Sequence, residues 1–73
     1  MSRGELLRAV RARGVPARAW VVDQAIDAGA LTPEPEWVAG RRVYVAAHVD
    51  QLAELVRARV QRQRVRALIR EGA

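Results

Sequence analysis

Seventy-three residues make a single domain. A chain of that size buries roughly 60 per cent of its unfolded surface, so its core is small and leaves no room for a deep substrate cavity beside it. All 13 basic residues are arginine, set against eight acids for a net charge of +5, and cysteine is absent, which excludes disulfides and thiolate metal sites. The charge is unevenly placed. Residues 1–54 hold seven arginines and seven acids, whereas residues 55–73 hold six arginines and only Glu71. The positive field therefore belongs to the C-terminal segment.

Ser2-Arg3-Gly4-Glu5 fits a capping box, with Ser2 as N-cap and Glu5 reaching back. The spacing of Leu6, Leu7 and Val10 predicts an amphipathic helix over 3–13, ended by Gly14. Val15-Pro16 reads as the turn, with Pro16 as the first residue of a second helix over 16–28. Laid out at about 100° per residue, that helix puts Val21, Val22, Ala25 and Ile26 on a core-facing arc. The opposite arc carries Trp20, Asp23, Gln24 and Asp27. It is either a solvated face with Trp20 tucked sideways into the core, or a protein-docking patch built on an aromatic beside charges.

Gly29 is suited to a left-handed helix cap, and Pro33 and Pro35 prevent an immediate restart. Trp37–Ala39 and Arg42–Val45 are β-prone runs, with Gly40-Arg41 as the turn of a small ribbon. A ribbon of two strands needs helices to lean on. A third helix is expected over about 48–71. Val49, Leu52, Ala53, Val56 and Val60 form one stripe, while Val65, Leu68 and Ile69 fall almost opposite. Either the helix breaks near Gln61-Arg62-Gln63-Arg64, or its last turns carry a separate apolar strip for a partner. The second is favoured, because those four residues include no strong breaker.

Chemistry is sparse. With one histidine, one serine, one threonine and no cysteine, no nucleophile–base pair or metal cage can be assembled, so the chain is expected to be no enzyme and to carry no cofactor or metal. His48 is expected to be a capping or surface residue, and Asp23/Asp27 an i,i+4 surface pair. No apolar run approaches the ~18 residues of a membrane span and no secretory h-region opens the chain, so a cytoplasmic protein without membrane contact is expected.

Helix-turn-helix followed by a ribbon is the winged-helix order, and the chain from Gly29 to Leu52 resembles the MerR superfamily, including the heat-shock repressor HspR and the phage excisionases. Gly29-Ala30-Leu31 with Pro33 resembles the family's Gly-Leu-Leu and prolines. Gly40-Arg41-Arg42-Val43-Tyr44 matches its Gly-x-Arg-x-Tyr wing, and His48-Val49-Asp50-Gln51-Leu52 keeps the apolar positions of its next helix. The resemblance implies a mainly α, winged helix-turn-helix domain over 1–56, followed by an Arg-rich extension of the third helix over 57–73. It also implies that Arg42 is a wing arginine that touches DNA phosphate, with Arg41 beside it; on the residues alone both are equally solvent-facing charges on an edge ribbon.

The departures carry as much weight. DNA-binding members usually have Thr-Leu-Arg-x-Tyr in the second helix, whereas here Asp23 occupies the arginine position and the threonine and tyrosine are missing. Carboxylates facing a phosphate surface oppose the neutralisation on which DNA affinity rests. The chain is thus similar to the family's protein-binding branch, chaperone modulators and assembly factors of the DnaK–DnaJ system. On that expectation Trp20, Asp23 and Asp27 form one contact face, and Val65, Leu68 and Ile69 with the basic tail form another. The alternative is a DNA-binding transcription regulator or excisionase-like factor, with Arg18, Arg41, Arg42, Arg57, Arg59, Arg62, Arg64 and Arg66 supplying phosphate contacts. The three-residue second stripe is thin for a coiled coil, and at most a weak homodimer is expected from it.

Overall fold

A computed structural model describes the backbone of residues 1–72 and the side chains of residues 1–69; Ala73, the end of the expected extension, lies outside them. Among the described residues the chain is mainly helical, with three helices and one two-stranded antiparallel sheet. The order is α1 (Arg3–Arg11), α2 (Ala19–Asp27), β1 (Glu36–Val38), β2 (Arg41–Val43) and α3 (Ala46–Gly72).

The capping box of α1 forms as expected. Ser2 Oγ accepts from the Glu5 amide at 3.2 Å, and Glu5 Oε1 accepts from the Ser2 amide at 3.1 Å. Leu6, Leu7 and Val10 enter the core. The helix ends two residues before the expected boundary, because the Arg13 and Gly14 amides bond three residues back, to Val10 and Arg11, and tighten the last turn. Gly14 then turns the chain at φ 77°.

The second helix starts at Ala19, not at Pro16. Val15 and Ala17 are both buried, and the Ala17 amide donates to the Val15 carbonyl at 3.0 Å, a bond two residues back that closes a tight turn in place of a helical one. Core burial outweighs the local preference of proline for a first helical position. The connection is held by Arg11, whose Nε donates to the Ala17 carbonyl at 2.8 Å. Val21, Val22 and Ala25 are buried and Ile26 packs against them, as the periodicity predicts. Gly29, at φ 66°, closes the helix in a Schellman motif: its amide bonds Ile26 O, and the Ala30 amide bonds Ala25 O at 2.9 Å.

The ribbon is real but shifted by one residue. Glu36 pairs with Val43, Trp37 with Arg42 and Val38 with Arg41, so the turn is Ala39-Gly40, not Gly40-Arg41. Both turn residues have positive φ, 50° and 76°, as a two-residue hairpin that follows the strand twist requires. Alanine is an unfavourable occupant of that left-handed position, which is why the sequence pattern placed the turn one residue later. The Met1 backbone pairs with Tyr44, the residue that follows β2. The Tyr44 amide donates to Met1 O at 2.8 Å, and the Met1 amino group donates to Tyr44 O.

The core gathers α1, α2, Leu31, Tyr44 and the first half of α3, through Val49, Leu52, Ala53 and Val56, with Val60 partly buried. The third helix begins two residues early and passes through 61–64 without a break. Among the described residues no helix is long and apolar enough to cross a membrane.

Candidate interaction surfaces

His48 is neither a ligand nor a surface residue. It is buried at the third position of α3, where Nδ1 accepts from the Val45 amide at 3.0 Å and Nε2 donates to the Pro33 carbonyl. An amide can only donate and a carbonyl only accept, so the ring is neutral with its proton on Nε2. The expectation of a capping role holds and that of exposure fails, because the Pro33 loop covers the ring. One turn on, Gln51 makes the same loop fast: its Oε1 accepts from the Thr32 amide at 2.8 Å and its Nε2 donates to the Thr32 carbonyl at 2.6 Å. Tyr44 meets His48 edge-on, with ring centroids 5.9 Å apart. Burial pushes the Tyr44 phenol above its ordinary 10.0. These three side chains fix the ribbon and the 31–35 loop against α3. Among the described residues no cluster of three His, Cys, Asp or Glu side chains gathers at a metal-binding distance.

The outward face of α2 resolves into two flanks. On one, the Arg59 guanidinium stacks over Trp20 with its carbon 4.4 Å from the ring centroid, and Arg59 Nη1 donates to Gln24 Oε1 at 3.2 Å. Trp20 remains 44% exposed, so it is not tucked into the core; it forms a platform that holds an arginine of α3 in place. Beside it runs a groove between α2 and α3, floored by Val21, Ala25, Ala30 and Leu55 and rimmed by Asp27 and Arg62. On the other flank Asp23 turns toward α1, where Arg3 Nη1 lies 3.4 Å away. Both partners are largely solvated, so the pair adds little stability. The expected trio is thus divided: Asp27 lines the α2–α3 groove, Trp20 carries the Arg59 that lines it too, and Asp23 faces α1 and the ribbon.

On the ribbon, Arg42 lies over the ring of its cross-strand partner Trp37 at 4.5 Å and donates to the Pro35 carbonyl at 3.3 Å. Arg41 is exposed beside it. With Arg3, Asp23 and Tyr44, these residues line a shallow depression. Arg3 was missed as a site residue. Its approach to the ribbon depends on the pairing of Met1 with Tyr44, a contact that no local pattern marks.

Of the other expected arginines, Arg59 and Arg62 line the α2–α3 groove, and Arg57 and Arg64 line a depression with Arg13 and the Gly14–Pro16 turn. Arg18 is the N-cap residue of α2 and makes no side-chain capping bond. Arg57 pairs with Glu54 within its own helix at 3.6 Å, and Arg62, Arg64 and Arg66 are exposed with no carboxylate partner among the described residues. Val65, Leu68 and Ile69 are also exposed, far from the Trp20 face along α3. No family model, curated protein or solved structure matches the chain.

Proposed function

We propose that this chain is a non-enzymatic, MerR-like winged-helix module that regulates by binding protein, in the manner of a modulator or assembly factor of the DnaK–DnaJ chaperone system. The observation that carries the reading is the α2–α3 surface. An exposed tryptophan supports a pre-positioned arginine beside an apolar groove, and the neighbouring rim is the carboxylate of Asp27. Aromatic and arginine anchors around an apolar floor are characteristic of protein interfaces, whereas phosphate recognition needs an uninterrupted positive surface. The element order of helix-turn-helix, ribbon and long helix supports the winged-helix assignment, and the projecting end of α3, with Val65, Leu68 and Ile69, provides a second contact. The test is calorimetric titration of the purified chain with purified DnaK- and DnaJ-type chaperones. Trp20→Ala and Arg59→Ala should each weaken binding about tenfold or more while leaving the circular dichroism unchanged. Affinity unchanged from the parent in both variants, or no binding by the parent chain, removes the reading.

DNA binding is the second reading, favoured by the gathering of Arg3, Arg41 and Arg42 around one depression. Neutralising several phosphates makes affinity fall steeply with salt. A flat response with random duplex, or binding that survives Arg41→Ala with Arg42→Ala, counts against it.

A further inference from the structure

Among the described residues the second half of α3 buries no side chain in the core, although Gln61 and Arg64 still line a depression beside the Gly14–Pro16 turn and Arg62 the α2–α3 groove. Val60 is the last residue of the helix to pack against the core, and residues 61–69 are all exposed. At 1.5 Å per residue, residues 65–72 extend about 12 Å past the body. The envelope of 52 × 24 × 17 Å takes its length from this helix.

The side chains on that projection are ordered by type. At about 100° per residue, Ala58, Val65 and Ile69 share one outward line, with Leu68 at its edge. Val65, Leu68 and Ile69 are 42%, 68% and 68% exposed. Arg57 and Arg64 lie about a quarter-turn to one side; Arg62, Arg66 and, nearer the body, Arg59 lie on the other. The result is an apolar strip between two rows of arginine. Arg62, Arg64 and Arg66 pair with no carboxylate among the described residues, and the i,i+4 spacing of Arg62 and Arg66 is repulsive in an isolated helix.

Three occupants can be compared on this chemistry. A second copy of the chain would bring arginine rows against arginine rows in either orientation. Glu54, which could relieve that, already pairs with Arg57. A nucleic acid would satisfy the arginines but would press Val65, Leu68 and Ile69 against a charged backbone. An amphipathic helix with an aliphatic seam and carboxylates on both flanks satisfies the strip and both rows at once.

We propose that the projecting half of α3 docks an acidic amphipathic helix of another protein. The aliphatic seam covers Val65, Leu68 and Ile69, and carboxylates on each flank pair with Arg64 on one side and Arg62 and Arg66 on the other. Charges on both flanks set the register of the two helices, as at the edge positions of a coiled coil. The inference rests on the protein-binding reading and adds the chemistry of the partner. Attraction between the arginine rows and carboxylates makes association fast and sensitive to ionic strength.

The experiment uses the full chain and two synthetic three-heptad peptides with the same leucine seam, one flanked by glutamate and one by lysine. Binding is read by fluorescence anisotropy. The glutamate peptide should bind, lose affinity about tenfold or more between ~50 and ~500 mM salt, and be lost with Val65→Asp/Ile69→Asp. The lysine peptide should not bind the parent chain but should bind Arg62→Glu/Arg64→Glu/Arg66→Glu. Equal binding of both peptides, or no reversal in the charge-swapped chain, overturns the proposal. So does self-association in sedimentation velocity that disappears with Val65→Asp/Ile69→Asp, which would assign the strip to a second copy. Duplex DNA binding abolished by that same pair would assign it to nucleic acid and overturn the proposal equally. If the glutamate peptide fails while chaperones still bind through Trp20, only this inference falls; if both fail, the protein-binding reading falls with it.

Discussion

Ala46 to Val60 and Gln61 to Gly72 belong to one unbroken helix, yet the two halves stand in opposite relations to the protein. The first half contributes Val49, Leu52, Ala53 and Val56 to the core and uses His48 and Gln51 to hold the 31–35 loop. Every described side chain of the second half meets solvent. The charge divides at nearly the same place, with seven arginines balanced by seven acids up to residue 54 and six arginines against one acid beyond it. Core packing and net charge have been separated along a single helix. Residues that hold the body together are apolar or hydrogen-bonded and leave no net field, while the field is concentrated where packing places no demand.

The comparison breaks most easily at Leu52 and Leu68, the same side chain in the two halves. Leu52 is fully buried, so Leu52→Ala should cost about 2–5 kcal/mol through lost burial and a cavity. That is a large share of the stability of a domain this small. Leu68→Ala, at an exposed position, should stay within about 0.5 kcal/mol. Urea denaturation followed by circular dichroism measures both, and similar losses would mean that the far half of α3 packs on the body.

His48→Ala comes next. It removes the part-buried bonds to the Val45 amide and the Pro33 carbonyl and should cost about 1–3 kcal/mol in the same assay, since each such bond contributes about 0.5–1.5 kcal/mol. His48→Gln should recover part of the loss, because glutamine at this position can still reach back to the Val45 amide. An equal loss for alanine and glutamine would show that the Pro33 contact alone matters.

The smallest effect concerns the start of α1. Ser2→Ala should remove about 1 kcal/mol by deleting the cap. The Ser2 amide, and after it the Ser2 hydroxyl, hold the Glu5 carboxyl below its ordinary 4.5. A carboxyl whose folded-state pKa is depressed stabilises fully above its unfolded value and loses that contribution as pH falls through the folded one. Stability should therefore decline below about pH 4.5, and Glu5→Gln should flatten that part of the curve. An unchanged slope would place the acid sensitivity elsewhere.

Local signals were legible where one residue type suffices for the geometry. The Ser2–Glu5 box, the Gly29 cap and the split stripes of α3 all follow from short spacings. The start of α2 was misread because burial of Val15 and Ala17 is a property of the whole core, not of the turn. The ribbon register slipped because Ala39 adopts a left-handed conformation that alanine does not advertise. Of the expected site residues, Asp27, Arg59 and Arg62 line the α2–α3 groove, Asp23, Arg41 and Arg42 the ribbon depression, and Arg57 and Arg64 the depression beside the Gly14–Pro16 turn.

By itself, then, the sequence determined which segments are helical, where the ribbon lies and that the positive charge sits at the C-terminal end. Those properties depend on neighbours within a turn or a hairpin, and on a count of charges. Only the tertiary structure decided that His48 is a buried cross-link, that Arg59 is stacked on Trp20, that Arg3 joins the ribbon and that α3 outruns the body. Each of these depends on residues far apart in the chain meeting, or on a helix finding nothing left to meet.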